Sequence, residues 1–126
     1  MKEIIAIIRM NKINITKKAL LDIGVNSLTA LKVVGRGKAV NVLSVLNEVG
    51  DHDEVAGKIE EGLLTGSRLT PRRLLDIVVH DDEVENVVKT IIRTNKENQS
   101  GDGKIFILPI SEAIRIRTGE SGDQAL

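Results

Sequence analysis

The order of strand-like and helix-like segments repeats along the chain, and this repeat restricts the fold more than any other feature. The first copy opens with an isoleucine-rich run at residues 2–9, typical of a strand that is covered on both faces or lies at a subunit contact. A helical pattern follows between Asn14, a predicted N-cap, and Gly24, a predicted stop. The apolar, β-branched run Ser27–Val34 then predicts a second strand.

The second copy has the same order. Leu74–Val79 predicts a strand, and either Asp81 or Asp82 is predicted to cap the helix that follows. Ile105–Ile110 predicts a further strand. Two βαβ units of this size most simply form an α+β, ferredoxin-like βαββαβ domain, in which both helices cover one face of an antiparallel sheet.

The face of this sheet without helices is predicted to be apolar. Alternation along three strands assigns to it Ile5 with Ile7, Leu31 with Val33, and Leu75 with Ile77. Soluble monomers seldom leave such a surface in water. We therefore expect a homo-oligomer that buries it.

The length of the chain suits one domain. With 126 residues and 41% hydrophobic content, residues 1–126 can enclose a single core. Between strands two and three, residues 36–70 form an insert loop far longer than the usual connection of about 2–6 residues. Two amphipathic stretches in this loop predict short helices that form on contact with a partner or a nucleotide. A decorated surface loop is the alternative.

Composition excludes several classes of function. The formal net charge is zero, and Phe106 is the single aromatic residue, so neither a basic field nor a stacking platform for nucleic acid is predicted. The chain contains no cysteine, which excludes disulfides, thiol nucleophiles and cysteine metal sites. No apolar run is long enough to insert into a membrane. These features fit a cytoplasmic protein.

Two short glycine-lysine clusters have chemistry suited to phosphate. Gly35–Lys38 follows a predicted strand, and Gly101–Lys104 precedes one. Glycine lets backbone N–H groups approach an anion closely, and lysine adds a compact positive charge. Neither cluster is a Walker motif. Taken alone, each is more simply explained as an ordinary turn.

Two arginines near the end of the chain form a third candidate. Arg115 and Arg117 are two residues apart, so in an extended strand both guanidinium groups lie on one face while Ile114 and Ile116 pack on the other. Paired guanidinium groups suit phosphate. An edge strand protected by charge is an equally good explanation.

Evidence for a metal site or an active site is weak. His52 lies in an acidic stretch and His80 precedes a helix start, and neither has a second histidine nearby in sequence. No Ser-His-Asp or paired-acid arrangement can be assembled. We predict no metal site and no catalytic residue. Because no residue is evidently placed to activate water, a slow ATPase ranks last among the possible functions.

Taken together, these segments resemble a known family. Gly101–Phe106 (GDGKIF) and Ile114–Glu120 (IRIRTGE) are similar to the carboxy-terminal signature of PII signal transduction proteins. The first half resembles the same family without a gap at Met1–Arg9, Ala19, Leu20, Gly24, Thr29 and Gly35–Gly37. The resemblance covers nearly everything outside the central loop. It implies a homotrimer that binds ATP or ADP between subunits and reports nitrogen and energy status.

The resemblance also implies a set of nucleotide-binding residues. It assigns phosphate contacts to Gly101, Asp102, Gly103 and Lys104 of one subunit and to Arg115 and Arg117 of its neighbour, and the same cleft to Gly35, Gly37 and Lys38. It assigns the adenosine to Ile7, Thr29, Asp76 and Val78, and contact with phosphate and effector to Arg72. Asp76 stands where the family usually has Glu, and Arg72 where it commonly has Lys.

Three departures from the family pattern limit this assignment. Ala39 stands where the family generally has the Gln that helps to hold magnesium and 2-oxoglutarate, which puts the usual mode of 2-oxoglutarate binding in doubt. The chain has no tyrosine, so the nucleotidylylation of many bacterial members is excluded. The loop is also longer than usual, and its sequence does not resemble the loop that plugs ammonium channels.

The long loop, together with Ile8–Lys12, resembles the PII subgroup encoded among nitrogen-fixation genes. Members of that subgroup act in pairs of unlike PII chains and inhibit a nitrogenase component until 2-oxoglutarate and ATP release it. The leading hypothesis is therefore a regulator of nitrogenase. The alternative is a general PII protein that regulates an ammonium transporter or a nitrogen-assimilation enzyme.

Overall fold

A computed structural model describes residues 1–37 and 69–126 of the chain. The strands are β1 (Lys2–Ile8), β2 (Thr29–Gly35), β3 (Thr70–Val79) and β4 (Lys104–Pro109). The α-helices are α1 (Ile13–Asp22) and α2 (Val84–Asn95), and short 3-10 turns cover Met10–Lys12, Asp81–Glu83 and Gly122–Ala125. The observed order of strands and helices confirms the predicted α+β arrangement.

The four strands form one sheet in the order β2-β3-β1-β4. Strand β1 lies inside the sheet and pairs antiparallel with both β3 and β4, so that Ile5 is opposite Asp76 on one side and Phe106 on the other. This topology is ferredoxin-like, as predicted. It also places the chain that follows β1 beside the chain that precedes β4, which decides where the glycine cluster lies.

The core lies between one face of the sheet and the two helices. Its residues are apolar positions that alternate along β1 and β3 together with apolar positions of both helices: Ile4, Ala6, Ile8, Leu75, Ile77, Val79, Leu20, Val87 and Ile91. Because directly opposed residues of an antiparallel pair share a face, the pairing of Ile4 with Ile77 and of Ala6 with Leu75 gives both strands the same buried side.

The opposite face of the sheet has no helix packed on it in the described part of the chain. It includes Ile5 and Ile7, as predicted, and also the side chains of Phe106, 46% exposed, and Leu108, 38% exposed. The assignment of Leu75 and Ile77 to this face was wrong. Both are at most 1% exposed in the core, because their register with β1 puts them under the helices.

Both predicted helix caps were wrong. Asn14 lies inside α1, because a 3-10 turn at Met10–Lys12 leads directly into that helix. Asp81 and Asp82 lie in a second 3-10 turn, whose N-cap is His80; the Glu83 side chain accepts a hydrogen bond from the His80 backbone N–H at 2.9 Å. The predicted stop at Gly24 is confirmed, since its φ of +94° suits glycine at a helix end.

The described residues belong to two compact units. One consists of residues 1–33 and 72–126 and contains the core, and the other consists of residues 34–71. The short helices predicted in the insert lie outside the described residues. The single domain over residues 1–126 and the loop over 36–70 stay predictions.

Candidate functional site

The segment Lys96–Gly103, called here the glycine loop, connects the end of α2 to the start of β4. Gly103 has a φ of +110°, and a Cβ built on it would lie 2.0 Å from the carbonyl oxygen of Ile7. Real Cβ atoms do not approach a backbone oxygen so closely, and non-glycine residues rarely adopt this φ. The second glycine of the predicted cluster is therefore required where the loop passes over β1.

Gly101 is also in a positive-φ conformation, at +97°, and a Cβ there would lie 3.1 Å from a guanidinium nitrogen of Arg72. The Arg72 guanidinium donates a 2.7 Å hydrogen bond to the carbonyl oxygen of Gly101. Strand β3 thus holds the middle of the glycine loop through Arg72, to which the resemblance assigns contact with phosphate and effector.

Asp102 fixes the shape of the loop from within. Its Oδ1 accepts a 2.8 Å hydrogen bond from Arg9, and its Oδ2 accepts hydrogen bonds from the backbone N–H groups of Glu97 at 3.0 Å and Gln99 at 3.4 Å. Burial by itself raises the pKa of the Asp102 carboxyl, but the Arg9 bond and the two backbone N–H groups outweigh burial and hold the pKa below its ordinary value. The carboxylate therefore stays ionised at neutral pH and anchors the loop.

Two cations that follow strand β1, Arg9 and Lys12, complete this cluster, and neither was predicted as a site residue. Arg9 also pairs with Glu97 at 3.2 Å, and Lys12 pairs with Glu97 at 3.0 Å. A signal for them was present in the sequence. An antiparallel pairing of the first and last predicted strands brings the residues after Ile7 to those before Lys104.

The resulting site combines a glycine-rich turn with several cations. Arg9 and Arg72 bind the loop itself, whereas Lys104, at the start of β4, is exposed and has no ion pair within the described part of the chain. An anion that approaches the glycine loop can come close to its backbone and to the unpaired Lys104 ammonium group, and both favour anion binding. The structure thus brings Gly101, Gly103 and Lys104 together and gives Asp102 and Arg72 supporting positions.

A cavity of about 250 Å³ brings together three of the four residues assigned to adenosine. It is lined by Ser27, Leu28, Thr29, Asp76, Val78, Ala125 and Leu126. Asp76 Oδ1 is buried and has no hydrogen-bond partner in the described structure, so this wall has an unused acceptor. The fourth residue, Ile7, is on the same sheet face as Asp76 but does not line the cavity.

Glu3 is a second acid on this sheet face. Glu3 pairs with Val78, diagonally beside Asp76. The pKa of Glu3 is raised, first by desolvation and then by the neighbouring Asp76 carboxyl. Glu3 does not line the cavity, so Asp76 Oδ1 is the buried acceptor that a ligand with a hydrogen-bond donor could reach there.

The edge strand predicted over residues 114–117 was wrong, because the chain reverses direction there. Ile114 forms an isolated antiparallel bridge with Ser121, and residues 116–118 form a turn. Gly119, at a φ of +73°, allows the reversal, and its N–H donates a 2.8 Å hydrogen bond to the carbonyl of Arg115. Residues 114–121 are called the C-terminal hairpin below.

The two arginines of the C-terminal hairpin are in different situations. Arg115 donates to the carboxylate of Glu120 at 3.0 Å and to the backbone oxygens of Gln124 at 3.2 Å and Leu126 at 3.0 Å. Arg117 is exposed and forms no ion pair with any described residue. The common face predicted for the two guanidinium groups is therefore not observed, because the turn separates them.

The two isoleucines beside these arginines are largely exposed. Ile114 is 66% exposed and Ile116 is 100% exposed. The prediction that they would pack on the other face of a strand was wrong, since there is no strand here. Because Ile116 at the tip of the turn is fully in contact with water, the fold gains none of the free energy that burying this apolar side chain would provide.

The first glycine-lysine cluster is only partly described. Gly35 and Gly37 belong to the unit of residues 34–71, and a Cβ built on either meets no atom within 4 Å. Lys38, Ala39 and His52 lie outside the described residues. The assignments of Gly35, Gly37 and Lys38 to a phosphate site stay predictions.

Within residues 1–37 and 69–126, no group of three or more His, Asp or Glu side chains could hold a metal ion. A search of the same residues finds no helix that is both long and apolar enough to cross a bilayer.

Comparison with known proteins gives consistent matches over the whole length. The sequence model of the family "Nitrogen regulatory protein P-II" matches residues 1–120. The chain is 46% identical to "Nitrogen fixation nifHD1 region GlnB-like protein 2" of Methanosarcina barkeri, and the match covers 100% of this chain and 99% of that protein. It is 44% identical to "Nitrogen fixation nifHD region GlnB-like protein 2" of Methanobacterium ivanovii, with the same coverage.

A solved structure matches as well. The structure described as Arabidopsis thaliana PII bound to citrate superposes with a TM-score of 0.72 at 33% sequence identity, and the match covers 99% of this chain and 91% of that one.

Proposed function

The chain belongs to the nitrogen regulatory protein P-II family, and from that premise we propose that it binds ATP or ADP and 2-oxoglutarate and controls nitrogenase through residues 36–70. The observation on which the proposal rests is the glycine loop: Gly103 lies so close to Ile7 that no side chain fits, and Lys104 follows it directly. This arrangement suits the phosphates of a nucleotide.

The cavity at Thr29, Asp76 and Val78 supports the nucleoside half of the proposal. Its volume of about 250 Å³ is smaller than a whole ligand pocket of about 300–1,000 Å³ and suits only part of a nucleotide, to which the unpartnered Asp76 Oδ1 can offer an acceptor for a ribose hydroxyl or an exocyclic amine. Among the described residues assigned to phosphate, Lys104 and Arg117 form no ion pair and can neutralise it, and Arg115 can do so once its present contacts are exchanged.

Calorimetric titration with ATP and with ADP tests the site. Lys104→Ala should weaken ATP binding by about 1.5–3 kcal/mol, because it removes a charge-assisted phosphate contact. The matched control is Lys18→Ala, which removes an exposed lysine of α1 whose described partner is Asp22. Equal affinities of the two variants would contradict the phosphate assignment.

We further propose that the open sheet face is buried in a homotrimer, either of this chain alone or with a second, unlike P-II chain. The exposed side chain of Phe106 lies on that face, so Phe106→Asp would place a charge in the interface. Sedimentation should then show monomers, whereas Leu21→Asp, on the surface of α1, should leave the trimer intact. A Phe106→Asp variant that sediments as the original chain would contradict this interface.

The proposed target is a nitrogenase component. The support is the names of the relatives, which place proteins 46% and 44% identical to this chain in nitrogen-fixation regions. Purified chain should inhibit nitrogenase in an acetylene-reduction assay, and ATP with 2-oxoglutarate should relieve the inhibition. Deleting residues 42–64 should abolish inhibition while nucleotide affinity and assembly are retained. Inhibition that survives the deletion would exclude the loop as the effector surface.

Binding of 2-oxoglutarate with magnesium is the least supported part of the proposal, because Ala39 replaces the Gln usual in the family. The Arabidopsis relative, described as bound to citrate, supports an organic-acid site in the family. Titration of 2-oxoglutarate into the chain with Mg-ATP should give saturable binding, which Ala39→Gln should tighten. If 2-oxoglutarate gives no binding heat with the original chain but binds saturably to the Ala39→Gln variant, the effectors of the original chain would be nucleotides alone.

A general P-II function is the second candidate. It is favoured by the match, at 36% identity over the whole chain, to the "Nitrogen regulatory protein P-II" of Pyropia yezoensis, whose name carries no reference to nitrogen fixation. Affinity capture from nitrogen-fixing cells distinguishes the two. Recovery of an ammonium transporter or a nitrogen-assimilation enzyme in place of nitrogenase would favour this second candidate.

A further inference from the structure

We propose that the segment Asp123–Leu126, called here the tail, competes with the nucleotide for the same site, so that a nucleotide binds only as the tail leaves. The proposal rests on the nucleotide site described under the proposed function. It assigns a role to residues for which neither the family resemblance nor the sequence pattern gave one.

The first observation is the set of contacts that Arg115 makes. One guanidinium nitrogen donates to Glu120, and the other donates to the backbone oxygens of Gln124 and Leu126. Arginine has five N–H donors in a fixed plane, and here they bind three oxygens close together. A phosphate group presents a similar set of oxygens to the same donors. The tail oxygens and a phosphate therefore cannot both occupy this side of Arg115.

The second observation concerns the other end of a bound nucleotide. Ala125 and Leu126 form part of the wall of the cavity that also contains Thr29, Asp76 and Val78. Thus the tail borders the pocket assigned to adenosine while its backbone holds the arginine assigned to phosphate. One segment of four residues thus contacts both the cavity assigned to adenosine and one of the two arginines assigned to phosphate.

The third observation is that the tail can be displaced easily. Its local structure is a single 3-10 turn at Gly122–Ala125, closed by a 3.3 Å hydrogen bond from the Leu126 N–H to the Asp123 carbonyl. Leu126 is 38% exposed, and Asp123 reaches His80 only at 3.7 Å. Such a segment opens at a small fraction of the free energy of global unfolding.

Concentration decides the outcome of the competition. Arg115 binds the oxygens of Gln124 and Leu126 within its own chain, whereas a nucleotide brings phosphate oxygens from solution, and guanidinium groups form strong, charge-assisted hydrogen bonds with phosphate. Nucleotide therefore displaces the tail at sufficient concentration. The tail lowers the apparent affinity by the fraction of time for which it holds the site.

The direct experiment is calorimetric titration of ATP into the full chain and into a chain that ends at Gly122. That end point keeps the Gly122 N–H bonds to the Ala113 carbonyl and the Glu112 carboxylate, and hence the closure of the hairpin. If the tail holds the site about nine-tenths of the time, its removal should tighten apparent binding about tenfold. Lys18→Ala in the full chain is the control and should bind as the original does.

A second measurement follows the tail itself in the full chain. Hydrogen–deuterium exchange of residues 123–126 should become faster at saturating ATP, since the Leu126 N–H loses its acceptor when the tail leaves. Leu126→Ser, which keeps the backbone oxygens and removes the apolar contact with the cavity, should give an affinity between those of the full and shortened chains.

The outcomes separate this inference from the proposed function. Saturable ATP binding with unchanged affinity in the shortened chain would contradict the competition but not the nucleotide site. Weaker binding would also contradict the competition, and would mean that the tail contributes contacts to the bound nucleotide. No ATP binding by either chain overturns the nucleotide site and the competition together. Slower exchange of the tail with ATP also overturns the competition.

Discussion

The glycine loop and the C-terminal hairpin look alike in sequence, since each has a glycine within two residues of a basic side chain, yet their glycines are required for different reasons. A Cβ on Gly103 would lie 2.0 Å from a backbone oxygen of β1, whereas a Cβ on Gly119 would meet no atom within 4 Å. Gly103 is thus required by close packing, and Gly119 by the reversal of the chain. The same residue pattern therefore indicates a rigid, supported site in one place and an exposed turn in the other.

The supports of the two regions differ in the same way. Asp102 joins the glycine loop to Arg9 on the far side of the sequence, 93 residues away, and Arg72 holds Gly101 from 29 residues away. Arg115, in contrast, binds partners no more than 11 residues away. The loop is fixed by the fold, whereas the hairpin is held by its own neighbours and can exchange them. This difference suits the proposed phosphate site at the glycine loop and an exchangeable set of contacts at the hairpin.

The largest effect should come from Gly103→Ala. The new methyl group would overlap the Ile7 carbonyl, which costs about 1–3 kcal/mol of the free energy of unfolding. The positive φ costs about 1–2 kcal/mol more, so the total loss should be about 2–5 kcal/mol. Gly119→Ala should lose only the conformational part, about 1–2 kcal/mol. Urea unfolding of both variants measures the difference. Equal losses of the free energy of unfolding in the two variants would mean that close packing at Gly103 contributes nothing beyond the backbone conformation.

The next effect should come from Arg9→Gln, compared with Arg117→Gln. The first change removes the ion pairs of Arg9 with Asp102 and Glu97 and leaves two carboxylates beside each other. The urea midpoint should fall, and by less than for Gly103→Ala. The second change removes an exposed arginine without a described ion pair, so its midpoint should stay within error of the original. A fall of similar size in both would mean that the loop is no better anchored than the hairpin.

A smaller effect should appear as acid sensitivity. Because the folded-state pKa of Asp102 lies below its unfolded value, this carboxyl stabilises the fold above the ordinary Asp pKa of about 3.9 and loses that contribution as pH falls through the folded pKa. Urea midpoints between pH 5 and pH 2 should therefore decline less steeply for Asp102→Asn than for the original chain. Parallel declines would show that the Asp102 carboxylate does not anchor the loop.

The smallest effect on a single subunit should come from Ile116→Ser. The side chain is fully exposed, so the free energy of unfolding at low protein concentration should change by less than about 0.5 kcal/mol. If the assembled protein buries Ile116, dissociation on dilution will occur at higher protein concentration in the variant. A large loss of stability at concentrations where the chain is monomeric would contradict the exposed position of the hairpin tip.

Hydrophobic patterning was sufficient to predict the order of strands and helices, because a core between one sheet face and two helices requires it. It did not predict which side chains of β3 face the helices, because both alternating sets of Leu74–Val79 are apolar except at Asp76. Only the pairing of Ile4 with Ile77 decides which set is buried. The helix starts were missed for a similar reason: 3-10 turns precede both helices and displace the expected caps.

The candidate site was predicted where a local pattern was sufficient and missed where contacts are distant. The glycines at 101 and 103 were identified from the residue pattern, and their positive φ angles agree with it. The supporting roles of Arg9, Lys12 and Glu97 depend on strand β1 lying beside β4, and single segments do not contain that information. The reversal at the C-terminal hairpin was missed because Ile-Arg-Ile-Arg alternates as a strand does, although Thr118 and Gly119 mark a turn.

The most direct test of the account is a nuclear magnetic resonance titration of the full chain with ATP, followed at the backbone amides. A nucleotide site at the glycine loop should give saturable shifts that are largest at Gly101, Gly103 and Lys104, with smaller shifts at Thr29 and Val78. Saturable shifts confined to other parts of the chain, or none at all at millimolar ATP, would contradict a nucleotide site at the glycine loop.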